Sequence, residues 1–78
     1  MIGEEILDPG TKELVALAAS VDGLCQPCFE YHSAKAKILG INEKEIREVI
    51  RISQTVRKRG AEFMDGFIEK TLSKLASQ

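Results

Sequence analysis

Residues 25–32 read Cys-Gln-Pro-Cys-Phe-Glu-Tyr-His and hold both cysteines of the chain and its only histidine. Cys25 and Cys28 are separated by two residues, and His32 follows Cys28 by four. Pro27 lacks an amide hydrogen and is best tolerated in the first turn of a helix, so we predict that a helix begins at Cys25 or the residue after it. Residues four apart are side-chain neighbours on a helix, which places His32 beside Cys28. We therefore expect this stretch to be the reactive centre.

The two thiols are expected to differ in their chemistry. A thiol is a useful nucleophile only as the thiolate, and the pKa of a free cysteine is ~8.5. The positive end of the helix and the imidazole of His32 both favour the thiolate, and His32 is positioned to accept the proton of Cys28. Cys25, at the helix start, is expected to be the more exposed sulfur, which resolves an oxidised Cys28 or meets a partner.

A base works best when a third group orients it, and Glu13 is the candidate. On a first helix Glu13 heads a line with Leu17, Val21 and Leu24, at the edge of an apolar stripe. Pointing inward, its carboxylate would hydrogen-bond His32. Pointing outward, it would be an ordinary acid near a helix start, which the helix dipole favours. Periodicity leaves both interpretations open.

The first predicted helix precedes the reactive stretch, and the second contains it. Asp8 and Pro9 supply an N-cap and a first helical residue, and Asp22-Gly23 ends that helix with turn chemistry. The second helix starts at the thiols and ends at Gly40.

Two further helices are predicted after Gly40. Asn42 caps the third, with Glu45 completing a capping-box-like pair. The basic cluster 57–59 lies in its last turn, where cations favour the helix dipole, and is interpreted as a solvated helix end. Gly60 breaks or bends the chain before the fourth helix. The pattern contains no convincing strand, so the fold class is an all-α arrangement of four helices.

Composition limits the class of protein. The chain has 78 residues and is expected to form a single domain, 1–78. Hydrophobic residues make up 44% of it, and a chain so short forms a marginal monomer, so we expect a homo-oligomer. Eleven basic and 12 acidic residues argue against nucleic-acid binding. No apolar run approaches the ~20 residues that span a bilayer, and the acidic N-terminus does not resemble a signal peptide. We expect a cytoplasmic protein that binds no membrane.

In a reducing compartment a cysteine pair is more often catalytic or metal-binding than structural. The C-x-x-C spacing alone fits redox centres and zinc half-sites, and the βαβ context of a thioredoxin is lacking. A zinc site would need ligands from a second subunit or from Glu13, because one chain supplies two cysteines and one histidine. The alternatives are therefore a thiol enzyme, a zinc-binding module and a redox-sensing oligomer.

The wider spacing adds a resemblance. Glu13, Cys25, Cys28 and His32 form the pattern E-x11-C-x-x-C-x3-H. It continues downstream through Ala36, Gly40, Ile41 and Glu45. From about residue 8 to residue 56 the chain resembles the AhpD-like, alkylhydroperoxidase branch of the carboxymuconolactone decarboxylase family. The resemblance implies an all-helical bundle assembled as trimers or hexamers. It also implies a thiol peroxidase or disulfide reductase whose cysteines cycle between dithiol and disulfide.

The resemblance assigns Glu13 and His32 to a proton relay and Cys25 and Cys28 to the redox cycle. Pro27 stands where the best-studied type of relative has a second histidine, so a relay branch through that position is absent here. The chain resembles a single repeat of the longer two-repeat relatives. Decarboxylase members lack the C-x-x-C pair, which disfavours that activity. We expect a hydroperoxide or disulfide substrate, an external dithiol or protein electron donor, and neither cofactor nor metal.

Overall fold

The computed structural model describes residues 5–78. Three helices follow in order: α1 (Pro9–Asp22), α2 (Gln26–Ile38) and α3 (Glu43–Ala76). No strand occurs within residues 5–78, which confirms the all-helical class. The predicted count of four helices is wrong, because the third and fourth are one.

α1 begins and ends where its sequence predicts. Asp8 is the N-cap, and its carboxylate accepts a hydrogen bond from the backbone amide of Thr11 at 2.9 Å and another from the Thr11 hydroxyl at 2.9 Å. Both hydrogen bonds lower the pKa of Asp8 below its ordinary value of 3.8, and the bond from the backbone amide of Thr11 has the larger effect. Leu17, at the centre of the helix, is fully buried.

The corner between α1 and α2 depends on an unusual backbone. Leu24 has a φ of +56°, in the left-handed region that glycine normally occupies. The amide of Leu24 donates to the carbonyl of Val21 at 3.2 Å, and the amide of Cys25 donates to Ser20 at 2.9 Å. This pair of bonds is a Schellman motif, which closes one helix and fixes the residue that opens the next. Leu24 therefore lies beyond α1, not on its predicted line of residues, and its side chain is exposed.

α2 also confirms its predicted limits. Pro27 lies in its first turn, and Cys25 is its N-cap. The helix ends before Gly40, whose φ is +81°. The amide of Gly40 donates to Lys37 and that of Ile41 donates to Ala36, at 3.0 and 3.1 Å, which completes a second Schellman motif.

α3 is a single helix of 34 residues, about 51 Å long, so Gly60 does not break the chain. A glycine inside a helix costs only about 1 kcal/mol relative to alanine. Val56 and Met64, four residues before and after Gly60, continue one apolar stripe in phase, so the sequence on both sides favours the helix. Asn42 is the N-cap and accepts the amide of Lys44 at 2.6 Å.

The helices pack around α1, which contacts both α2 and α3. Leu17 and Ala36 are the fully buried apolar residues of the described chain. Every residue from 54 to 78 is exposed, so the second half of α3 extends away from the other two helices. The radius of gyration is accordingly 17.5 Å, against about 11–12 Å for a compact chain of this length. None of the described helices is long and apolar enough to cross a membrane.

Candidate active site

The two cysteines form a disulfide at the start of α2, with their Cα atoms 5.3 Å apart. Cys25 is the N-cap, and its sulfur accepts the backbone amide of Cys28 at 3.3 Å. The sulfur of Cys25 therefore lies where the free amides of the helix end would stabilise a negative charge.

The exposure of the cysteines reverses one prediction. Cys28 is exposed and Cys25 is half-buried, whereas the helix-start argument predicted Cys25 as the more exposed. The reason is the corner at Leu24: the amide of Cys25 is tied back to Ser20, and this places Cys25 in the wall of a groove between helices.

His32 and Glu13 are joined across the α1–α2 interface. Nδ1 of His32 lies 2.7 Å from Oε1 of Glu13. An ionised carboxylate can only accept, so Nδ1 carries the hydrogen and Nε2 is the free nitrogen of the neutral ring. The Glu13 residue is only 6% exposed. Of the two interpretations that periodicity left open, the structure supports the inward-pointing carboxylate.

A buried carboxylate is costly unless its oxygens have partners. Oε1 of Glu13 has His32, and Oε2 lies 3.7 Å from Nζ of Lys35. The ring of Tyr31 meets that of His32 edge to face at 4.9 Å between centroids, and the Lys35 ammonium lies 5.8 Å from the Tyr31 centroid. The sequence analysis missed Lys35, although its position three residues after His32 on the same helix was a usable signal.

A groove of about 380 Å³ opens beside the disulfide. Its walls include the four apolar side chains Val21, Leu24, Phe29 and Ile50. Cys25 lines it from the α2 side, and Arg57 lines it from α3. The groove therefore combines an apolar wall, a disulfide-bonded sulfur and a cation.

Arg57 does not belong to a helix end, because α3 continues for another 19 residues to Ala76. Its Nη1 donates to the carbonyl oxygen of Val21 at 3.2 Å, in the last turn of α1. The predicted helix end is thus wrong for the whole cluster 57–59, although all three residues are exposed as expected and Arg57 has a partner on α1. Lys58 and Arg59 are exposed.

The arrangement supplies the parts of a thiol–disulfide centre: two sulfurs that bond to each other, a histidine one turn after Cys28, and a buried carboxylate that holds the histidine. Within residues 5–78, no group of three or more histidine, cysteine, aspartate or glutamate side chains is arranged to hold a metal ion.

Comparison with known proteins identifies one family. The model of the carboxymuconolactone decarboxylase family matches residues 1–66 of the 78. The matched part contains the C-x-x-C pair, His32, Glu13 and Arg57. A search of curated proteins and of solved structures gave no match.

Proposed function

The chain belongs to the carboxymuconolactone decarboxylase family, which includes enzymes, and we propose that it is a thiol peroxidase or disulfide reductase of the AhpD-like branch. The observation that carries the proposal is the Cys25–Cys28 disulfide next to the hydrogen-bonded pair of His32 and Glu13. A C-x-x-C pair that forms and breaks a disulfide transfers two electrons, and a neighbouring base supplies the thiolate that the chemistry needs.

In the peroxidase cycle, the thiolate of Cys28 attacks the outer oxygen of a hydroperoxide. The O–O bond breaks, the sulfur becomes a sulfenic acid, and the alkoxide takes a proton and leaves as the alcohol. The thiol of Cys25 then attacks the sulfenic sulfur and water leaves, which forms the disulfide. An external dithiol reduces the disulfide and becomes a disulfide itself. The net reaction converts a hydroperoxide and a dithiol into an alcohol, water and a disulfide.

In the reductase cycle, the dithiol form reduces a partner's disulfide by thiol exchange. The protons in both cycles pass through His32. Nε2 of the neutral imidazole takes the proton of Cys28, while the hydrogen bond from Nδ1 to Glu13 stabilises the imidazolium that results. Glu13 therefore acts as a positioning residue, and Lys35 balances its negative charge when the imidazole is neutral.

The deciding experiment is a panel of hydroperoxides and disulfides, each tested with several dithiol donors. It is run on the wild type and on the Cys25→Ser and Cys28→Ser variants. Turnover that needs both cysteines supports the cycle. Sulfenic acid trapped on the Cys25→Ser variant, and not on Cys28→Ser, supports attack by Cys28. A wild type that turns over none of these substrates contradicts the proposal.

The zinc-binding alternative is tested on the same preparation. Free thiols and bound metal are counted before and after a stoichiometric hydroperoxide is added to the reduced protein. Rapid loss of two thiols per chain without bound metal supports the enzyme. One zinc ion per two chains, with thiols that do not react, supports a metal-binding module and contradicts the enzyme.

We also propose that the chain assembles into a homo-oligomer, a trimer or hexamer by analogy with the family. The support is the apolar stripe of α3, which α1 covers over its first half and nothing in residues 5–78 covers over its second half. The uncovered part, here called the α3 tail stripe, consists of Met64, Phe67, Ile68, Leu72 and Leu75, which are 44–65% exposed. A second copy of the same stripe would bury these side chains.

A further inference from the structure

We infer that the groove beside the disulfide binds substrates that combine an apolar body with a carboxylate, and that Arg57 is the residue that selects the carboxylate. The inference rests on the proposed function for its substrate class, an organic hydroperoxide. It adds a specificity determinant to a site whose chemistry lies in the thiols.

The size and lining of the groove suit a small organic molecule. Ligand pockets typically measure about 300–1,000 Å³ and are mostly apolar with few polar groups. This groove measures about 380 Å³ and has Val21, Leu24, Phe29 and Ile50 in its walls. Cys25 lines it, and the sulfur of Cys28 is bonded to that of Cys25, so a ligand in the groove lies next to the sulfur pair.

Leu24 shows that the groove wall is built at a cost. A left-handed conformation is unfavourable for a residue other than glycine. A leucine in that conformation, in a residue that is 74% exposed, is not explained by burial in the core. Its place in the wall next to Cys25 gives the side chain a role, because it adds apolar surface where the ligand would lie.

Arg57 has donors left for a ligand. A guanidinium carries five N–H donors, and Arg57 uses one of them on the carbonyl of Val21. No carboxylate within residues 5–78 forms an ion pair with Arg57. The bond to Val21 fixes the direction of the side chain, and the remaining N–H groups match the bidentate geometry of a carboxylate.

The test uses a matched pair of substrates. One is the acid 4-(2-hydroperoxypropan-2-yl)benzoic acid, the hydroperoxide of 4-isopropylbenzoic acid, and the other is its methyl ester. The two share the apolar body and the reacting group and differ only in the carboxylate. We expect the wild type to have a kcat/KM at least tenfold higher for the acid than for the ester. The preference should fall as salt rises, because an exposed ion pair is screened.

Three variants separate the effect of charge from that of structure. Arg57→Gln should lower kcat/KM for the acid about tenfold and leave the ester within twofold, while Arg57→Lys should keep part of the preference. Lys58→Gln removes a neighbouring charge that does not line the groove, and it should change neither substrate. An equal loss for acid and ester in Arg57→Gln, or no preference in the wild type, overturns the inference.

A binding experiment keeps the inference separate from the peroxidase proposal. The unreactive 4-isopropylbenzoate is titrated into the oxidised protein and compared with its neutral amide, with NMR shifts of groove residues as the readout. Tight binding of the acid that Arg57→Gln weakens about tenfold supports the inference even if no hydroperoxide is turned over. Equal affinity for acid and amide, or no binding of either, contradicts it whether or not the enzyme is active.

Discussion

In the proposed cycle, Glu13 acts on the cysteines only through His32. It touches neither sulfur in the proposed cycle, yet it is nearly buried, and it holds the only histidine of the chain at 2.7 Å. Burying a carboxylate in a chain with so small a core is unfavourable unless the group has a function or partners that need it there. Its two partners, His32 and Lys35, both come from α2.

We predict that Glu13→Gln lowers the rate of hydroperoxide reduction by roughly 10- to 100-fold, the range typical of groups that orient a reacting side chain. The amide keeps a hydrogen-bond acceptor for Nδ1 of His32 but removes the negative charge that stabilises the imidazolium. The measurement is the pH profile of iodoacetamide alkylation of the reduced protein beside the turnover rate. A purely structural role would lower the melting temperature and leave that profile unchanged.

The matched control is Glu45→Gln, an exposed acid in the first turn of α3 that makes none of these contacts. It should leave both the profile and the turnover rate as in the wild type. If Glu13→Gln also leaves both unchanged, Glu13 has no part in the relay and His32 works without a positioning carboxylate.

At the same scale, the positions of the two cysteines and the histidine could be predicted better than their surroundings. The spacing placed Cys25 and Cys28 at the start of one helix and His32 one turn after Cys28, because helical periodicity and the preference of Pro27 for a first turn are local properties. The periodicity of α1 placed Glu13 only at the edge of the apolar stripe. It did not decide which way the side chain points, because the partner of Glu13 comes from α2. The left-handed Leu24 could not be predicted, because no local signal marks a leucine for a conformation that glycine prefers.

At the scale of the helices, α3 is the clearest case of a local signal that the flanking sequence overrides. Gly60 predicted a break, and the helix runs through it. The physical reason is that one glycine destabilises a helix by only about 1 kcal/mol relative to alanine, and the helix-forming residues on both sides outweigh that cost. Sequence reasoning found the caps at Asp8, Asn42 and Gly40 because capping is specific chemistry, whereas a single glycine is only a weak preference.

We predict that Gly60→Ala stabilises the protein by about 1 kcal/mol and increases its helical content. A Cβ added at Gly60 meets no atom within 4 Å, so alanine has room. Thermal unfolding followed by circular dichroism measures the change. Gly66→Ala, in the same helix and equally open, should act in the same direction.

Gly60→Pro tests the continuous helix from the opposite direction. Proline in a helix interior removes a backbone hydrogen bond and destabilises the helix by about 3 kcal/mol. It should lower the helical signal and the melting temperature. If instead Gly60→Ala destabilises the chain while Gly60→Pro is tolerated, α3 is two helices in solution and the continuous helix is wrong.

A second prediction at this scale concerns pH and the first helix. The pKa of Asp8 in the folded chain is lowered by the two hydrogen bonds from Thr11, and most by the one from its backbone amide. A group with a lowered folded-state pKa contributes stability above its unfolded-state pKa and loses it as the pH falls through the folded-state value. The contribution of the cap should therefore be complete near neutral pH, begin to fall near the unfolded-state pKa of about 4, and be lost as the pH falls through the lower folded-state pKa.

The measurement is the melting temperature of wild type and Asp8→Asn between pH 2 and pH 7. Asparagine also caps helices but does not titrate in this range. We expect the difference between the two proteins to change as the pH falls below 4 and to be constant above pH 5. A difference that is constant over the whole range would falsify the charge contribution at this cap. Asp22→Asn, outside the cap, serves as the control.

At the scale of the whole molecule, the described chain is extended and its core is small. Its fully buried apolar residues are a leucine and an alanine, and small domains of this size depend on extra support. The sequence alone could not predict that α3 extends beyond the other helices. Periodicity reveals an apolar stripe but does not show which part of the stripe is covered. The same stripe is half-buried against α1 at residues 46, 49 and 50 and exposed beyond residue 53.

We predict that Phe67→Asp converts the assembly into smaller species. Phe67 is 65% exposed and lies in the α3 tail stripe, so a charge there would be buried without a partner in any interface that covers the stripe. Light scattering coupled to gel filtration measures the mass, and circular dichroism measures the helicity. We expect a lower mass and a partly unfolded end of α3, because an isolated helical segment this short is marginal in water.

Ser73→Asp is the matched control for that variant. It adds the same charge six residues later, about 120° around the helix from Phe67, and should leave the mass unchanged. A wild type that runs as a monomer at micromolar concentration rules the assembly out. If both aspartate variants dissociate it equally, the interface is not the α3 tail stripe but another surface that a charge at this end of α3 disturbs. The contrast between the two variants thus tests the place of the interface and its existence together.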